Sequence, residues 1–325
     1  MIRFFLYRFF KAFGKPMKTL NESILSRFIS NENLLKKILL DKTFHTLWRK
    51  RIGNTITNEK YKLKNIKITK INNNYRTLVK IIHSFTLTNC KNIRNSKEVM
   101  SFIIIIKKET NKYHIINLYN KECSPSRYDK ALCNCDSYID KENEIKHLEE
   151  KIEEIDIILK EFSDFKEAHL RNIEIPSKKK YSIDKAVSYA RKHALSYNKH
   201  YEDFSNAGGD CTNFVSQCVH AGGLPLSLTW RPYYTAWIRV NELYYYILRK
   251  GLGKDLPSIM DSKPGSIIQF FSSTKGFYSH SGIITEIISD EDCLYCCHNF
   301  DKLDYPLSEI YPSIYKKIRI LNIIY

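Results

Sequence analysis

The chain has 325 residues, of which 43% are hydrophobic and 13% aromatic, and it carries a formal net charge of +17 at pH 7. This apolar content excludes a disordered chain, and the length favours two domains. From Lys180 onward the chain has 16 Lys and Arg residues and 14 Asp and Glu residues. Before Lys180 it has 36 Lys and Arg residues and 21 Asp and Glu residues. The basic surface therefore belongs mainly to the upstream part. It suits an anionic polymer or lipid headgroup, nucleic acid being the least favoured partner, or it is simply a solvated lysine-rich surface.

The first twenty residues, MIRFFLYRFFKAFGKPMKTL, are apolar but interrupted by Arg3, Arg8 and Lys11. No small-residue cleavage site follows, so we interpret the segment as an amphipathic basic helix and not as a signal peptide. Such a helix either packs against its own domain or rests on a membrane surface. No apolar run in the chain approaches the roughly 18 residues of a spanning helix.

Helical spacing of apolar residues covers about residues 20 to 50, and a strand pattern follows up to about residue 120. The strand segments alternate or run apolar, with Asn-rich turns between them: YKLKNIKITKI, YRTLVKIIHSFTL, VMSFIIIIKK and KYHIINLYN. We therefore predict a small basic α+β module over residues 1–130, with a curved antiparallel sheet. No motif in this module carries chemistry.

Residues 142–170 carry a heptad pattern that predicts a helix. Apolar residues recur at steps of three and four between charged ones: Ile145, Leu148, Ile152, Ile155, Leu159 and Phe162. The pattern is short for an independent coiled coil, so this helix either lies on a neighbouring element or forms a weak dimerisation stalk. With the exposed hinge predicted at 173–182, we interpret residues 131–179 as a helical linker and hinge.

The stretch GGDCTNFVSQC, at 208–218, is the most informative in the chain. Asp210 has N-cap character and places Cys211 in the first turn of a helix that ends at Gly222-Gly223. The positive field of a helix N-terminus lowers the pKa of a thiol, and the two glycines before it keep the thiol uncovered. The pattern predicts Cys211 as an ionised nucleophile, with a buried structural thiol as the alternative. Cys218 lies on the apolar face and is predicted to be a core residue.

A nucleophilic thiol needs a base, and His280 is the best candidate. It opens the predicted strand SGIITEI beside small residues that leave it accessible from a cleft. His298 ends the next strand, where it could orient the imidazole of His280. Cysteine on a helix with histidine on an adjacent strand is the nucleophile–base arrangement of thiol hydrolases.

The nine cysteines are odd in number and have no repeated spacing, which argues against a disulfide framework. Cys133 and Cys135 are too close for ordinary structural zinc ligands. Cys211, His280 and His298 do not have the spacing of a metal-binding motif. We therefore expect neither a metal nor another cofactor.

The chain from about residue 180 to 325 resembles the putative amidase domain of Gram-positive bacteria, a family grouped with the papain-like NlpC-type and CHAP-type cysteine hydrolases. The resemblance is carried by these segments in order: Tyr197-Asn198, Tyr201, GDCTNFVSQC at 209–218, Ala221-Gly222-Gly223, Trp230, Pro264-Gly265 and His280-Ser281-Gly282-Ile283. It implies an α+β papain-like hydrolase domain over residues 180–325, with N-terminal helices followed by an antiparallel sheet. Upstream there is only a loose similarity to cystatin-like or nuclear-transport-factor-like domains.

The resemblance implies a cysteine amidase or peptidase that hydrolyses an amide bond of peptidoglycan, in a stem peptide or cross-bridge. Cys211 would be the nucleophile, with its backbone amide in the oxyanion hole, and His280 would be the general base. His298 would orient His280. The segment CCHNFDKLDYPL departs from the family's pattern, so Asn299 and Asp301 are rivals for that third role.

Asp210, Trp230 and Ser281 are candidate substrate-binding residues, although Asp210 is more typical of an N-cap and Trp230 of a core or rim aromatic. The basic upstream part would hold the enzyme near an anionic wall polymer or a membrane surface, which suits a cell-wall or spore association. Two other functions fit the same residues. One is a module that binds wall peptide without cutting it, and the other is an acyltransferase using the same Cys/His pair.

Overall fold

The computed structural model describes residues 1–15, 22–89, 93–110, 112–133, 142–160, 181–256, 259, 261–289 and 292–325. The chain divides into two compact units, Met1–Ile158 and Leu159–Tyr325. Each unit combines helices with antiparallel strands, so the predicted α+β class is confirmed. Within the described residues, no helix is both long and apolar enough to span a membrane.

The first unit contains a four-stranded meander, and helices precede and follow these strands along the chain. Its helices are α1 (Ile2–Phe13), α2 (Glu22–Leu25), α3 (Glu32–Arg51), α4 (Pro125–Cys133) and α5 (Glu142–Glu153). Its strands are β1 (Thr55–Ile71), β2 (Asn74–Thr88), β3 (Ile93–Glu109) and β4 (Lys112–Asn120). Each strand pairs antiparallel with the next, because short turns join them.

Helix α1 packs against its own unit, which is the first of the two arrangements that its sequence allowed. Leu6, Phe9 and Phe10 are buried in the core that the helix forms with the sheet. Phe4 and Tyr7 stay 65% and 53% exposed on the opposite face. The apolar stripe of α1 is thus occupied by its own sheet, and two aromatic side chains lie outside it.

A buried polar cluster in this sheet has no counterpart among the sequence predictions. His83 on β2 lies between two carboxylates, with Nδ1 2.8 Å from Glu98 and Nε2 3.0 Å from Glu59. The hydroxyl of Tyr61 donates to Glu59 at 2.6 Å, and its ring stacks on His83. Hydrogen bonds from His83 and its charge hold the pKa of Glu59 at about 2, against the opposing effect of burial. The cluster joins β1, β2 and β3 by polar contacts inside the sheet.

The heptad segment forms α5 and lies on α3. Ile145 and Leu148 of the predicted seam are buried. Glu144 and Glu149 each accept from a lysine of α3 at 2.7 Å, Lys37 and Lys36 respectively. The apolar stripe of the segment therefore faces a neighbouring helix of the same unit. Phe162 and most of the predicted hinge at 173–182 lie outside the described residues.

From residue 181 onward, the described part of the second unit has four α-helices before a six-stranded antiparallel sheet. The helices are α6 (Ile183–His193), α7 (Cys211–Ala221), α8 (Thr235–Ile238) and α9 (Val240–Arg249). The strands are β5 (Gly253–Leu256), β6 (Ile267–Ser272), β7 (Phe277–Ile287), β8 (Cys293–Cys297), β9 (Lys302–Pro306) and β10 (Ile318–Ile323), in the order β9-β8-β7-β6-β10-β5. One face of this sheet packs against the helices, and Ile267, Ile283 and Leu321 lie in that core.

Helix α7 is buried on every side, and not only on its apolar face. All residues from Cys211 to Val219 are buried, including four polar ones: Thr212, Asn213, Ser216 and Gln217. Buried polar groups are tolerated when they are hydrogen-bonded. Gln217 accepts from the hydroxyl of Tyr189 at 2.7 Å, and the hydroxyl of Ser216 donates to the carbonyl of Trp237 at 2.9 Å. Its neighbours thus satisfy the polar side of the helix that carries the candidate nucleophile.

Candidate active site

The turn before α7 is built as the sequence predicted, but Asp210 acts differently. Gly208 and Gly209 have φ values of +95° and +119°, and Cys211 is the first helical residue. Asp210 is the N-cap residue by position, yet its side chain makes no capping hydrogen bond. Its carboxylate accepts instead from the backbone amide of Phe204 at 3.0 Å and from the side chain of Asn213 at 2.8 Å. The predicted side-chain cap is therefore wrong, because other donors use these oxygens.

The third partner of the Asp210 carboxylate is His298. The Nδ1 atom of His298 lies 2.5 Å from Oδ2 of Asp210, and both side chains are 1% exposed. Its Nε2 atom lies 2.9 Å from the carbonyl oxygen of His193, at the end of α6. The imidazole is stacked between the rings of Tyr197 and Phe214. The predicted role of His298 in orienting His280 is not supported, because both of its nitrogens are used elsewhere.

The two rival residues also lie at this turn. Asn299 accepts from the backbone amide of Asp210 at 2.7 Å. Asp301 accepts from the backbone amide of Asn299 at 3.1 Å and from the hydroxyl of Tyr197 at 2.9 Å. The loop after β8 therefore holds the turn before Cys211 in place. All three residues considered for orienting His280 have this positioning role in the structure.

Gly209 is the point where this loop comes nearest to the turn. A Cβ atom at Gly209 would collide with the side-chain amide of Asn299, whereas one at Gly208 would meet nothing within 4 Å. Both residues have positive φ, so alanine is strained at either position.

We therefore expect Gly209→Ala to destabilise the protein by about 2–4 kcal/mol, because it adds overpacking to backbone strain, and Gly208→Ala by about 1 kcal/mol. Urea unfolding of the two full-length variants measures the difference. Equal costs at the two glycines would contradict the proposed contact with Asn299.

Cys211 is buried, which changes the expectation about its charge. Only 6% of Cys211 is exposed to solvent. Burial raises the pKa of the Cys211 thiol above its ordinary value, although hydrogen bonds from the Thr212 hydroxyl and from the backbone amides of Ser281 and Thr212 act against this. The prediction of a resting thiolate is therefore corrected, because loss of hydration outweighs the stabilising contacts.

His280 lies on β7 next to the residue that contacts the thiol. Its ring packs on Phe270 and Tyr315, and its Nε2 atom is buried with no hydrogen-bond partner among the described residues. Burial lowers the pKa of His280 to about 3, and the charges of Lys302 and Lys275 contribute. The imidazole is therefore neutral at neutral pH.

No hydrogen bond joins His280 to Cys211 or to His298 within the described part of the chain. The backbone of Ser281, the next residue, contacts the thiol of Cys211. Side chains alternate along a strand, so those of His280 and Ser281 point to opposite faces of the sheet. The structure thus places the candidate base on β7 next to the residue whose backbone contacts Cys211, without a hydrogen bond between base and nucleophile in the described part of the chain.

The candidate substrate-binding residues are all buried. Trp230 is completely buried, and its Nε1 atom donates to the hydroxyl of Ser216 at 3.3 Å. The hydroxyl of Ser281 lies 3.4 Å from that of Thr212, also without exposure. A groove wall must be accessible, so Trp230 takes the alternative core position. Ser281 contacts the first turn of α7 at Thr212, and Asp210 is held by Phe204, Asn213, His298 and Asn299.

Two further expectations concern cysteines and metals. Cys218, predicted as a core residue, is fully buried. Seven cysteines lie in the described part of the chain and none of them forms a disulfide, and Cys123 and Cys133 are exposed. Over the same residues, no group of three His, Cys, Asp or Glu side chains is arranged to hold a metal ion.

In the α+β second unit, Cys211 thus opens a buried helix beside β7, the strand that carries His280. Residues 180–322 match a protein-family model described as "Putative amidase domain". The match supports the amidase-domain family for this part of the chain. Amide-bond hydrolysis is the reaction class that it suggests.

Two curated proteins of Bacillus subtilis (strain 168) are similar to part of the chain. "Uncharacterized protein YjcM" is 35% identical over 120 residues, which cover 34% of this chain and 29% of that protein. "Uncharacterized protein YhbB" is 29% identical over 112 residues, which cover 30% of this chain and 35% of that protein. The chain thus spans about a third of the length of each relative. No solved structure matches the chain.

Proposed function

We propose that the second unit is a papain-like cysteine amidase or peptidase that works through an acyl-enzyme on Cys211. One observation carries this proposal: the thiol at the start of α7 contacts the backbone of β7 at Ser281, the residue that follows His280. The family match makes amide hydrolysis the expected reaction. Such a reaction needs a thiol and a neutral imidazole, and Cys211 and His280 would supply these two groups.

The raised pKa of Cys211 and the lowered pKa of His280 favour a neutral resting pair. In the proposed mechanism, Sγ of Cys211 attacks the carbonyl carbon while its proton passes to Nε2 of His280. The C–N bond then breaks as the imidazolium returns that proton to the leaving amine, and a thioester remains on Cys211. Water attacks the thioester, releases the acid and restores the thiol, with His280 again carrying the proton between them.

The oxyanion formed in these steps needs hydrogen-bond donors. Amides in the first turn of a helix have no partner within the helix, and Asp210 does not cap them here. The backbone amide of Cys211 is therefore the donor that we assign to the oxyanion. His280 and Cys211 must also approach each other more closely than in the resting structure, as is common when substrate binds.

The proposed substrate is a peptidoglycan stem peptide or cross-bridge. It rests on the resemblance of the residues around Cys211 and His280 to cell-wall hydrolases. Asp210, His298, Asn299 and Asp301 then serve as positioning residues, since their hydrogen bonds fix the turn before Cys211.

Alkylation of Cys211 by iodoacetamide tests the nucleophile and its resting state. Only the thiolate reacts, and the pKa of Cys211 is raised above the ordinary value of 9.0. We therefore expect the rate at Cys211 to keep rising through pH 9, without a plateau near pH 7. Cys218 in the same helix is the internal control, and mass spectrometry of peptides separates both from exposed Cys123 and Cys133.

Two results of that experiment would contradict the proposal. A plateau below pH 7 would show a resting thiolate–imidazolium pair in place of the neutral pair. A rate no faster than that of Cys218 at every pH would favour a module that binds wall peptide without cutting it. The absence of a hydrogen bond between Cys211 and His280 is the observation that keeps this second function open.

A further inference from the structure

One face of the sheet in the first unit is strongly basic, and strand register brings its cations together. Lys60 on β1 is opposite Ser84 on β2, which is opposite Lys97 on β3. Asn65 of β1 is opposite Lys80 of β2. Directly opposed residues share a face, and so do alternate residues of one strand. Five lysines consequently occupy the same side, here called the lysine face: Lys60, Lys62, Lys67, Lys80 and Lys97.

The lysine face is exposed and has no acidic counterpart. All five lysine residues are exposed, and none forms an ion pair within the described residues. The carboxylates of β1–β3 are placed elsewhere. Glu59 and Glu98 contact His83, which lies on the opposite face of β2 with the core residues Val79 and Ile81. Glu109 pairs with Lys107 at the end of β3.

Edge protection does not explain this pattern. Lysines on an edge strand prevent unwanted strand pairing, and β1 is at the edge of the sheet. Lys80 and Lys97, however, lie on the inner strands β2 and β3. Like charges at diagonal positions of neighbouring strands repel one another, and no carboxylate of the described residues forms an ion pair with these lysines. The face is therefore suited to an external counter-charge.

The geometry points to a linear polyanion with regularly repeated charges. Lys60 and Lys97 are two strands, or about 10 Å, apart across the sheet, and Lys80 is a diagonal neighbour of Lys62 and Lys67 at about 7–8 Å. Lys60 and Lys62 are alternate residues of β1 and lie about 7 Å apart. A phosphate polymer laid across the strands would meet several ammonium groups in succession. Binding would be driven by release of its counterions and would weaken with salt.

The composition of the face favours a polyanion without bases. Binding of single-stranded nucleic acid relies on aromatic side chains that stack on bases, and arginine adds to this. On this side of the described strands β1, β2 and β3 no residue is aromatic, and Tyr119 of β4, on the same side, packs in the cluster formed with α4. The one arginine of the lysine face, Arg76, donates to the carbonyl oxygens of Ala131 and Leu132 in α4. We propose that the lysine face of the first unit binds a polyol-phosphate chain.

The test compares two full-length variants with the same loss of charge. Lys62→Gln with Lys80→Gln and Lys97→Gln removes three cations of the lysine face. Lys185→Gln with Lys192→Gln and Lys250→Gln removes three exposed lysines of the second unit. The probe is poly(glycerol phosphate), and Kd is measured between 50 and 200 mM salt.

We expect the lysine-face variant to bind about 10-fold more weakly, with a salt dependence reduced by about two to three ions, and the control to change by less than about 2-fold. Circular dichroism checks that both variants are folded. Equal losses of affinity in the two variants would show that net charge alone determines binding, and would overturn the proposal. Tighter binding to an oligonucleotide of equal charge, or to phosphatidylglycerol vesicles, would overturn it in favour of nucleic acid or a lipid surface. The outcome is independent of Cys211 and of the proposed hydrolysis.

Discussion

Replacing Cys211 with alanine is expected to abolish amide hydrolysis while the fold is retained. The substitution removes the atom that forms the thioester, so kcat/KM should fall by about 10³-fold or more. The side chain is small and its contacts are weak: the thiol lies 3.8 Å from the Thr212 hydroxyl and accepts from the backbone amides of Ser281 and Thr212, so little packing is lost. The measurement is release of amino groups from purified peptidoglycan by the full-length chain.

Cys218→Ala provides the matched control for this experiment. It removes a sulfur atom from the same helix, seven positions later, where the residue is completely buried in the core. We expect it to cost stability, by about 1–2 kcal/mol, and to leave the turnover of the folded protein unchanged. Full activity in Cys211→Ala would contradict the assignment of Cys211 as the nucleophile, regardless of the result for Cys218→Ala.

His298→Ala is expected to have the largest effect on stability. It leaves the carboxylate of Asp210 buried, with 1% of the side chain exposed, and without its partner at 2.5 Å. Breaking a buried pair from one side costs about 3–5 kcal/mol, because the remaining charge is uncompensated. Urea unfolding followed by tryptophan fluorescence measures this loss, since Trp230 and Trp237 both lie in the second unit.

An exposed histidine of the same unit, His200, is the control, and His200→Ala should leave stability within about 0.5 kcal/mol of wild type. A positioning role for His298 also makes a prediction for catalysis. Folded His298→Ala should lose kcat because the turn is displaced, but the pH at which activity changes should stay that of wild type. A shifted pH profile with unchanged stability would instead indicate that His298 acts on the base.

The contacts around Asp210 explain why a polar segment can be so deeply buried. Asp210 accepts from Phe204, Asn213 and His298, and its own amide donates to Asn299. Asn213 in turn accepts from the indole of Trp237 at 2.7 Å. Each polar group thus has a partner inside the unit, which offsets the cost of burial. The turn before Cys211 is consequently fixed by side chains that come from three separate parts of the chain.

Much of the second unit could be predicted because local signals determine its elements. Ser182 caps α6, accepting from the amide of Lys185 at 3.3 Å, and the small apolar residues Ala186, Val187 and Ala190 of that helix are buried. The glycines at 208 and 209 have the positive φ that their position suggested. Such features depend on neighbours within one turn of a helix or one tight turn, and these are readable from the chain itself.

The partners of the functional side chains could not be predicted, since they depend on contacts between distant residues. Asp210 is a residue type that commonly caps helices, but its Oδ2 accepts from a histidine 88 positions away. The thiol of Cys211 lies at the start of a helix, a position that favours an activated nucleophile, yet burial raises its pKa.

The lysine face likewise exists only because the register of β1, β2 and β3 aligns lysines from three strands. The sequence by itself determined which residues turn, coil into helices or extend, because those preferences are local. Tertiary structure alone decided which side chains meet and which lose their water, because burial and long-range pairing set hydrogen bonding and charge.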